Sequence, residues 1–271
     1  MSIKTLFFIL IFILNLNAKE RLVSLSPSIT EIIYALEKGD SLVATSSYSL
    51  YPKEAQKLPV IGGYENPNIE KIIFCKPTLV IGQNFNQNTL KKLKRFGIKT
   101  LQLNLQTLQN IKNSIKKLSK ALNTSTNKLV TNIDDAITNA KKSSTPHSVM
   151  IVYGLRENLK GAIYIAGHNI FFEDIIKVCG NTNAYTSNIT NQPVLSYENV
   201  IALNPDQIII LHSHATEPNV DEKKALKAWF SIPTNASKNN HITVIDEDYL
   251  HIPSQRVALS ITKLCEEMKI D

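Results

Sequence analysis

Glu70-Lys-Ile-Ile-Phe-Cys-Lys-Pro77-Thr-Leu-Val-Ile81 is the stretch from which the fold can be read. A Glu opens a short amphipathic helix, in the first turn where the helix dipole favours a negative charge. Pro77 stops that helix, because the residue before a proline is pushed out of the α region. The β-branched run that follows is long enough for one buried parallel strand. The same order of parts returns in Glu198-Asn-Val-Ile-Ala-Leu-Asn-Pro205-Asp-Gln-Ile-Ile-Ile210. One such block is a common αβ unit. Two of them predict two lobes of related build, and the repeat is too long and too sparse for a solenoid.

Working outward, Arg21-Leu-Val-Ser-Leu25 reads as an opening strand, and Ser26-Pro27-Ser28-Ile29-Thr30-Glu31 starts a helix with a capping pattern. Leu42-Val43-Ala44, Lys99 to Leu103 and Val149 to Tyr153 are further strands. Thr107 to Lys142 is polar, lacks Gly and Pro and carries apolar residues at helical spacing, so it reads as one or two helices, the later one joining the lobes. Pro146 marks entry to the second lobe. Strands alternating with helices in both halves define an α/β chain. Its expected parts are residues 1–18 as a signal peptide, 19–122 as the first lobe, 123–145 as the linking helix and 146–271 as the second lobe.

Composition agrees. With 271 residues, 43% hydrophobic and 20% charged, the chain can bury a sizeable core and is neither disordered nor collagen-like. Its net charge of +7 (30 basic, 23 acidic) reads as Lys scattered over solvated helix faces, without the Arg clusters and interleaved aromatics of a nucleic-acid binder. Lys4, the apolar run Leu6 to Leu14 and Leu16-Asn17-Ala18 form a signal-peptide pattern with cleavage near Ala18. The run is too short to cross a bilayer, and no Cys follows it to carry a lipid anchor, so the expectation is an exported, soluble protein. Export favours pairing among the three cysteines. Cys75 reads as a small core hydrophobe, whereas Cys179 and Cys265 each end an apolar helical stretch and would close a long loop; spacing leaves the connectivity open.

Taken in order, these segments resemble the periplasmic binding proteins that serve importers of ferric siderophores, haem and cobalamin, and among them most of all the cobalamin-binding members. The resemblance runs from Arg21 to Cys265. It rests on the opening strand and helix, on Ser46-Ser47-Tyr48-Ser49-Leu50-Tyr51-Pro52, and on Gly63-Tyr64-Glu65-Asn66-Pro67-Asn68-Ile69-Glu70. Cys179-Gly180 with Cys265, and Asp248-Tyr249 with Arg256, complete it. It implies a class III periplasmic binding protein: two α/β lobes, each a mainly parallel sheet flanked by helices, joined by a long rigid α-helix, with ligand held between them. It also implies a Cys179–Cys265 disulfide, and a permease in the inner membrane, with its ATPase, as partner. Glu70 and Glu198 stand where the family docks one glutamate of each lobe on permease arginines; without the resemblance they are only favourable first-turn acids.

For a flat macrocycle, aromatic walls with a few polar anchors are required. By position these are Tyr48, Tyr51, Tyr64 and Phe85 in the first lobe and Tyr164, Tyr249 and His251 in the second, with Asp248 accepting hydrogen bonds from amides on a corrin rim. The cobalamin-binding members use several Trp here; the single Trp229 lies outside these loops, and Gln192 and Tyr64 stand in their place. Gly63-Tyr64 also resembles haem-binding members, and Tyr64 with His251 would then ligate ferric iron. A ferric siderophore would instead use Arg156 and Arg256. His212-Ser213-His214 after a strand, with His241, offers a weaker metal alternative, set against a reading as polar surface-loop histidines. No resident cofactor, nucleic acid or enzyme motif is expected, and the chain reads as a monomeric binder of a metal chelate. An extracytoplasmic hydrolase or a purely structural envelope protein are the competitors from other classes.

Overall fold

The structure, a computed structural model, describes residues 19–187, 192–213 and 220–270. The signal-peptide segment and His214 lie outside the described residues. By its internal contacts the chain forms two compact units that divide between Leu103 and Asn104.

The first unit is built on a parallel sheet of β1 (Leu22–Ser24), β2 (Leu42–Ala44), β3 (Leu79–Gln83) and β4 (Thr100–Leu103), ordered β2-β1-β3-β4. Parallel strands need crossovers, and α1 (Pro27–Ala35), α2 (Ile69–Phe74) and α3 (Gln87–Arg95) supply them. Ser26 caps α1, its side chain accepting from the Ile29 amide at 3.3 Å, with Pro27 in the first turn. Asn68 does the same for α2 through the Lys71 amide at 2.9 Å. Val23, Leu25, Ile61, Ile72, Val80 and Leu93 fill the core, and free Cys75 packs against it.

The second unit opens with α4 (Leu108–Leu122) and α5 (Asn127–Thr138), followed by β5 (Ser148–Tyr153) and β6 (Ile163–Ile165). Next come α6 (Phe171–Val178), β7 (Thr182–Asn183), β8 (Val194–Leu195), α7 (Tyr197–Leu203) and β9 (Gln207–His212). It closes with α8 (Glu222–Phe230), α9 (Asn235–Lys238), β10 (Ile242–Asp246) and α10 (Val257–Glu267). The sheet order is β10-β9-β5-β6-β8, with β7 beside β5. β5, β7, β9 and β10 run parallel, and the β6 pairings are antiparallel. Every residue of β9 is buried, as an unbroken apolar run covered on both faces requires. Trp229 lies in this core and not at a strand end.

Both sequence blocks fold as read. Glu70 lies in the first turn of α2, and Pro77 separates it from β3; Glu198 lies in the first turn of α7, and Pro205 separates it from β9. α4 belongs by its contacts to the second unit, against α5 and α6, and the Asp174 carboxylate accepts from the Leu108 amide at 2.8 Å. The unit boundary therefore falls before this helix, whereas the sequence reading sets it after residue 122. Segment 123–145 contains α5.

Cys179, at the end of α6, is bonded to Cys265 on α10, 86 residues later in the chain. Both are buried, and Cys75 is the remaining thiol. Closing so long a loop restricts the unfolded chain, so Cys179→Ala is expected to cost roughly 2–5 kcal/mol in denaturant unfolding. Thiol titration of the unfolded, unreduced protein is expected to give one thiol; three would refute the bond.

Candidate ligand-binding site

In a parallel α/β sheet the loops after the strands gather at one edge, where such folds bind ligands. The first unit's edge is floored by hydroxyls. Thr30 Oγ1 lies 2.7 Å from Thr45 Oγ1 and 2.9 Å from Ser24 Oγ, and Thr45 Oγ1 lies 2.7 Å from Ser49 Oγ. All four side chains are buried, so each hydroxyl offsets the desolvation of the next. Above this floor, Tyr48 takes a left-handed conformation (φ 63°), which costs a non-glycine residue roughly 1–2 kcal/mol. Its neighbours impose that conformation: Ser49 is tied into the floor, while the Ser47 amide and hydroxyl both donate to the Gly62 carbonyl at 2.9 and 3.1 Å. Gly62 itself has φ 113°, and a Cβ there would stand 3.2 Å from the Asn66 carbonyl. Tyr48 and Tyr51 are thereby presented to solvent on one loop, 64% and 44% exposed.

Tyr64 and Phe85 meet edge to face, their ring centroids 5.6 Å apart. Buried Asn86 fixes them: its Oδ1 accepts from the Gln83 amide at 2.9 Å and its Nδ2 donates to the Tyr64 carbonyl at 2.6 Å. Gln83 Nε2 in turn donates to Ser26 Oγ at 2.9 Å. Gly82 makes room, since a Cβ there would lie 3.0 Å from the Asn86 Cβ. Partial burial and the Glu65 carboxylate beside it raise the Tyr64 phenol above its ordinary pKa. Glu70 is exposed at this same edge: the Asn68 amide that precedes α2 donates to Ile61, whose own amide donates to Thr45 just past β2.

The second unit offers a matching edge. Exposed Tyr164 on β6 pairs with Tyr153 at the end of β5, and the Arg156 guanidinium lies 5.6 Å from the Tyr164 ring centroid. β10 is followed by a 3-10 turn, Asp248–His251, pinned by buried Leu250. Arg256 Nη1 lies 3.1 Å from Asp248 Oδ1, and its guanidinium stands 5.7 Å from the Tyr249 ring centroid. Arg256 therefore holds an ion pair, and Asp248 reaches any ligand with that cation beside it. Burial, then the Glu247 carboxylate, raise the Tyr249 phenol. Exposed Glu198 is at this edge too, since α7 follows β8 directly and β8 pairs with the start of β6. Its carboxyl is held below the ordinary range by the Ser196 hydroxyl and its own backbone amide.

Tyr153 was not singled out from sequence. It is partly buried between the rings of Phe172 and His251, at 5.7 and 6.4 Å, and hydrogen-bonded to Gln192; burial pushes its phenol far up. Its place as the last residue of a β-branched strand is the signal that would have found it. The histidine alternative is corrected by register. His212 pairs with Asp246 at the end of β10, whereas His241 precedes the start of that strand, and His212 is a buried strand residue, not a surface-loop one. Among the described residues no group of His, Cys, Asp and Glu is placed to hold a metal ion.

Comparison with known proteins agrees with the architecture. The sequence matches the periplasmic binding protein family over residues 22–249. It is 33% identical over 268 residues to a vitamin B12-binding protein of Vibrio vulnificus, covering 95% of this chain and 94% of that one. Among solved structures, the vitamin B12-binding protein of Vibrio cholerae superposes with a TM-score of 0.73 at 25% identity, over 92% of this chain and 96% of that one. A periplasmic haem-binding protein from Roseiflexus sp. RS-1 gives a TM-score of 0.73 at 26% identity, over 92% and 98%. With two α/β units of the class III type and a match across most of its length, the chain belongs to the periplasmic binding protein family.

Proposed function

We propose that this chain is the substrate-binding component of an ABC importer, a monomer working in the periplasm after its leader is removed. It captures cobalamin or a related corrinoid and delivers it to an inner-membrane permease coupled to an ATPase. One observation carries the reading: each unit exposes aromatic rings beside hydroxyl, amide and carboxylate groups at its strand-end edge. A corrin has broad apolar faces and an amide rim. Rings left in water by the protein gain by covering the faces, and Asp248 accepts from the rim. Tyr48, Tyr51, Tyr64 and Phe85 form the wall of the first unit, and Tyr164, Tyr249 and His251 that of the second. The vitamin B12-binding relatives, alike over nearly the full chain, support the same choice.

The second reading is haem, favoured by Tyr64 and by likeness to the haem-binding protein. Tyr64 and His251 would then hold ferric iron. A ferric siderophore fits less well, because Arg256 is already paired with Asp248. Binding without turnover is the expected chemistry. One His–carboxylate pair, His168 and Glu173 at 2.8 Å, lies away from the aromatic edge, near the start of β5. Burial opposes ionisation of Glu173, but hydrogen bonds from Lys177, His168 and the Asn169 amide outweigh it and hold its pKa at about 2, too low for a general base near neutrality. Exposed Glu70 and Glu198 serve as the permease contacts.

Visible-absorption titration with cobalamin, haemin and a ferric catecholate tests the ligand. Saturation at one cobalamin per chain is expected, weakened by Tyr64→Ala. A haemin Soret shift that Tyr64→Ala abolishes, with no response to cobalamin, would replace the corrinoid by haem. For docking, Glu70→Lys with Glu198→Lys is expected to abolish cobalamin uptake by cells and leave affinity unchanged. Normal uptake in that double variant would sink the docking role.

A further inference from the structure

The positive charge of the first unit is not spread evenly. Residues 71–103 carry seven Lys and Arg and no Asp or Glu, whereas residues 19–70 carry seven acidic and five basic residues. The fold brings four of the seven, Lys76, Lys94, Arg95 and Lys99, to the strand-start edge, opposite the aromatic one. α2 ends at Phe74 and turns through Lys76 into β3, and α3 ends at Arg95 and turns through Phe96 and Lys99 into β4. β3 and β4 are neighbours, and the Val80 amide donates to the Lys99 carbonyl at 2.9 Å, so the two turns lie side by side. Arg21, entering β1, donates to the Cys75 carbonyl at 2.6 Å and the Lys76 carbonyl at 3.1 Å, adding a third strand entry to this edge. The acids of this edge, Glu20, Glu37 and Asp40, stand toward β2, away from the β3 and β4 entries, with Glu20 3.5 Å from Lys38.

Phe74 and Phe96, 88% and 65% exposed, are the most exposed large apolar side chains among the described residues. An isolated exposed apolar residue needs no explanation, but two on adjacent turns within an all-basic segment match the pattern of interfacial binding. Aromatic rings enter the headgroup boundary while Lys and Arg meet anionic lipid. We propose that this edge of the first unit binds an anionic phospholipid surface. Tyr48, Tyr64 and Glu70 lie at the other end of the same strands and stay clear of such a surface. A carrier held in this way remains beside the membrane with its aromatic edge open, whichever chelate it carries.

Sedimentation of the protein purified from the periplasm, with its N-terminus confirmed by mass spectrometry, tests this against phosphatidylglycerol and phosphatidylcholine vesicles. Binding is expected to phosphatidylglycerol alone and to vanish near 1 M salt, where screening acts within about 3 Å. Phe74→Ala with Phe96→Ala is expected to weaken it by about tenfold. Lys76→Gln, Lys94→Gln and Lys99→Gln are expected to weaken it roughly fivefold each. Lys160→Gln, Lys223→Gln and Lys227→Gln, exposed on the second unit, are the charge-matched control and are expected to change little. Circular dichroism melting confirms that each variant is folded. No binding to either vesicle, equal binding to both, or equal loss in the control set would overturn the proposal. So would binding indifferent to the Phe and Lys changes, as a retained leader would give.

Discussion

Parallel pairing of short buried strands is the constraint from which the rest follows. β1 pairs in parallel with β2 and β3, and β9 with β5 and β10. Strands that run the same way cannot be joined by a tight turn, so each crossover returns through a helix or a long loop to the starting edge. In both units the segments after the strands therefore converge on one edge and helix-to-strand turns on the other. Tyr48, Tyr64 and Phe85 share an edge for this reason, although they are dispersed in sequence.

Exposed rings make a binding surface only if something holds them still, and the first unit uses two polar devices to do so. The Ser24, Thr30, Thr45 and Ser49 hydroxyls satisfy one another beneath the Tyr48 loop. Asn86 ties Tyr64 to the end of β3. A few net hydrogen bonds at about 1 kcal/mol each are enough to offset a single left-handed residue. A loop already ordered in the free protein also spares the ligand that ordering cost.

The architecture was legible because helix stops and buried strands have strong local signatures. Pro77 and Pro205, each between an amphipathic turn and a β-branched run, mark both blocks, and the strands at Leu42, Lys99 and Val149 fall within one residue of their observed starts. The cysteines were legible only in part: position singled out Cys179 and Cys265, the resemblance paired them, and the structure joins them. What stayed hidden depends on contacts distant in sequence. Nothing local says that α4 packs with α5 and α6 or that Arg256 would pair with Asp248. Ser and Thr hydroxyls accept so many partners that the Thr30–Thr45–Ser49 floor has no sequence signature. The His212–His241 idea failed on register, a property of neighbouring strands that no single strand carries.

The two edges of the first unit carry different charge, and the distance between them decides whether that matters. β3 is five residues long, which at roughly 3.3 Å per residue separates the edges by about 16 Å. The screening length at physiological ionic strength is about 8 Å. Glu70 at one edge and the Lys76–Lys99 turns at the other therefore do not neutralise one another. Each presents its own field to whatever approaches it. Composition averages such placement away: Lys76, Lys94, Arg95 and Lys99 are scattered in sequence and become neighbours once the fold sets two strand entries side by side.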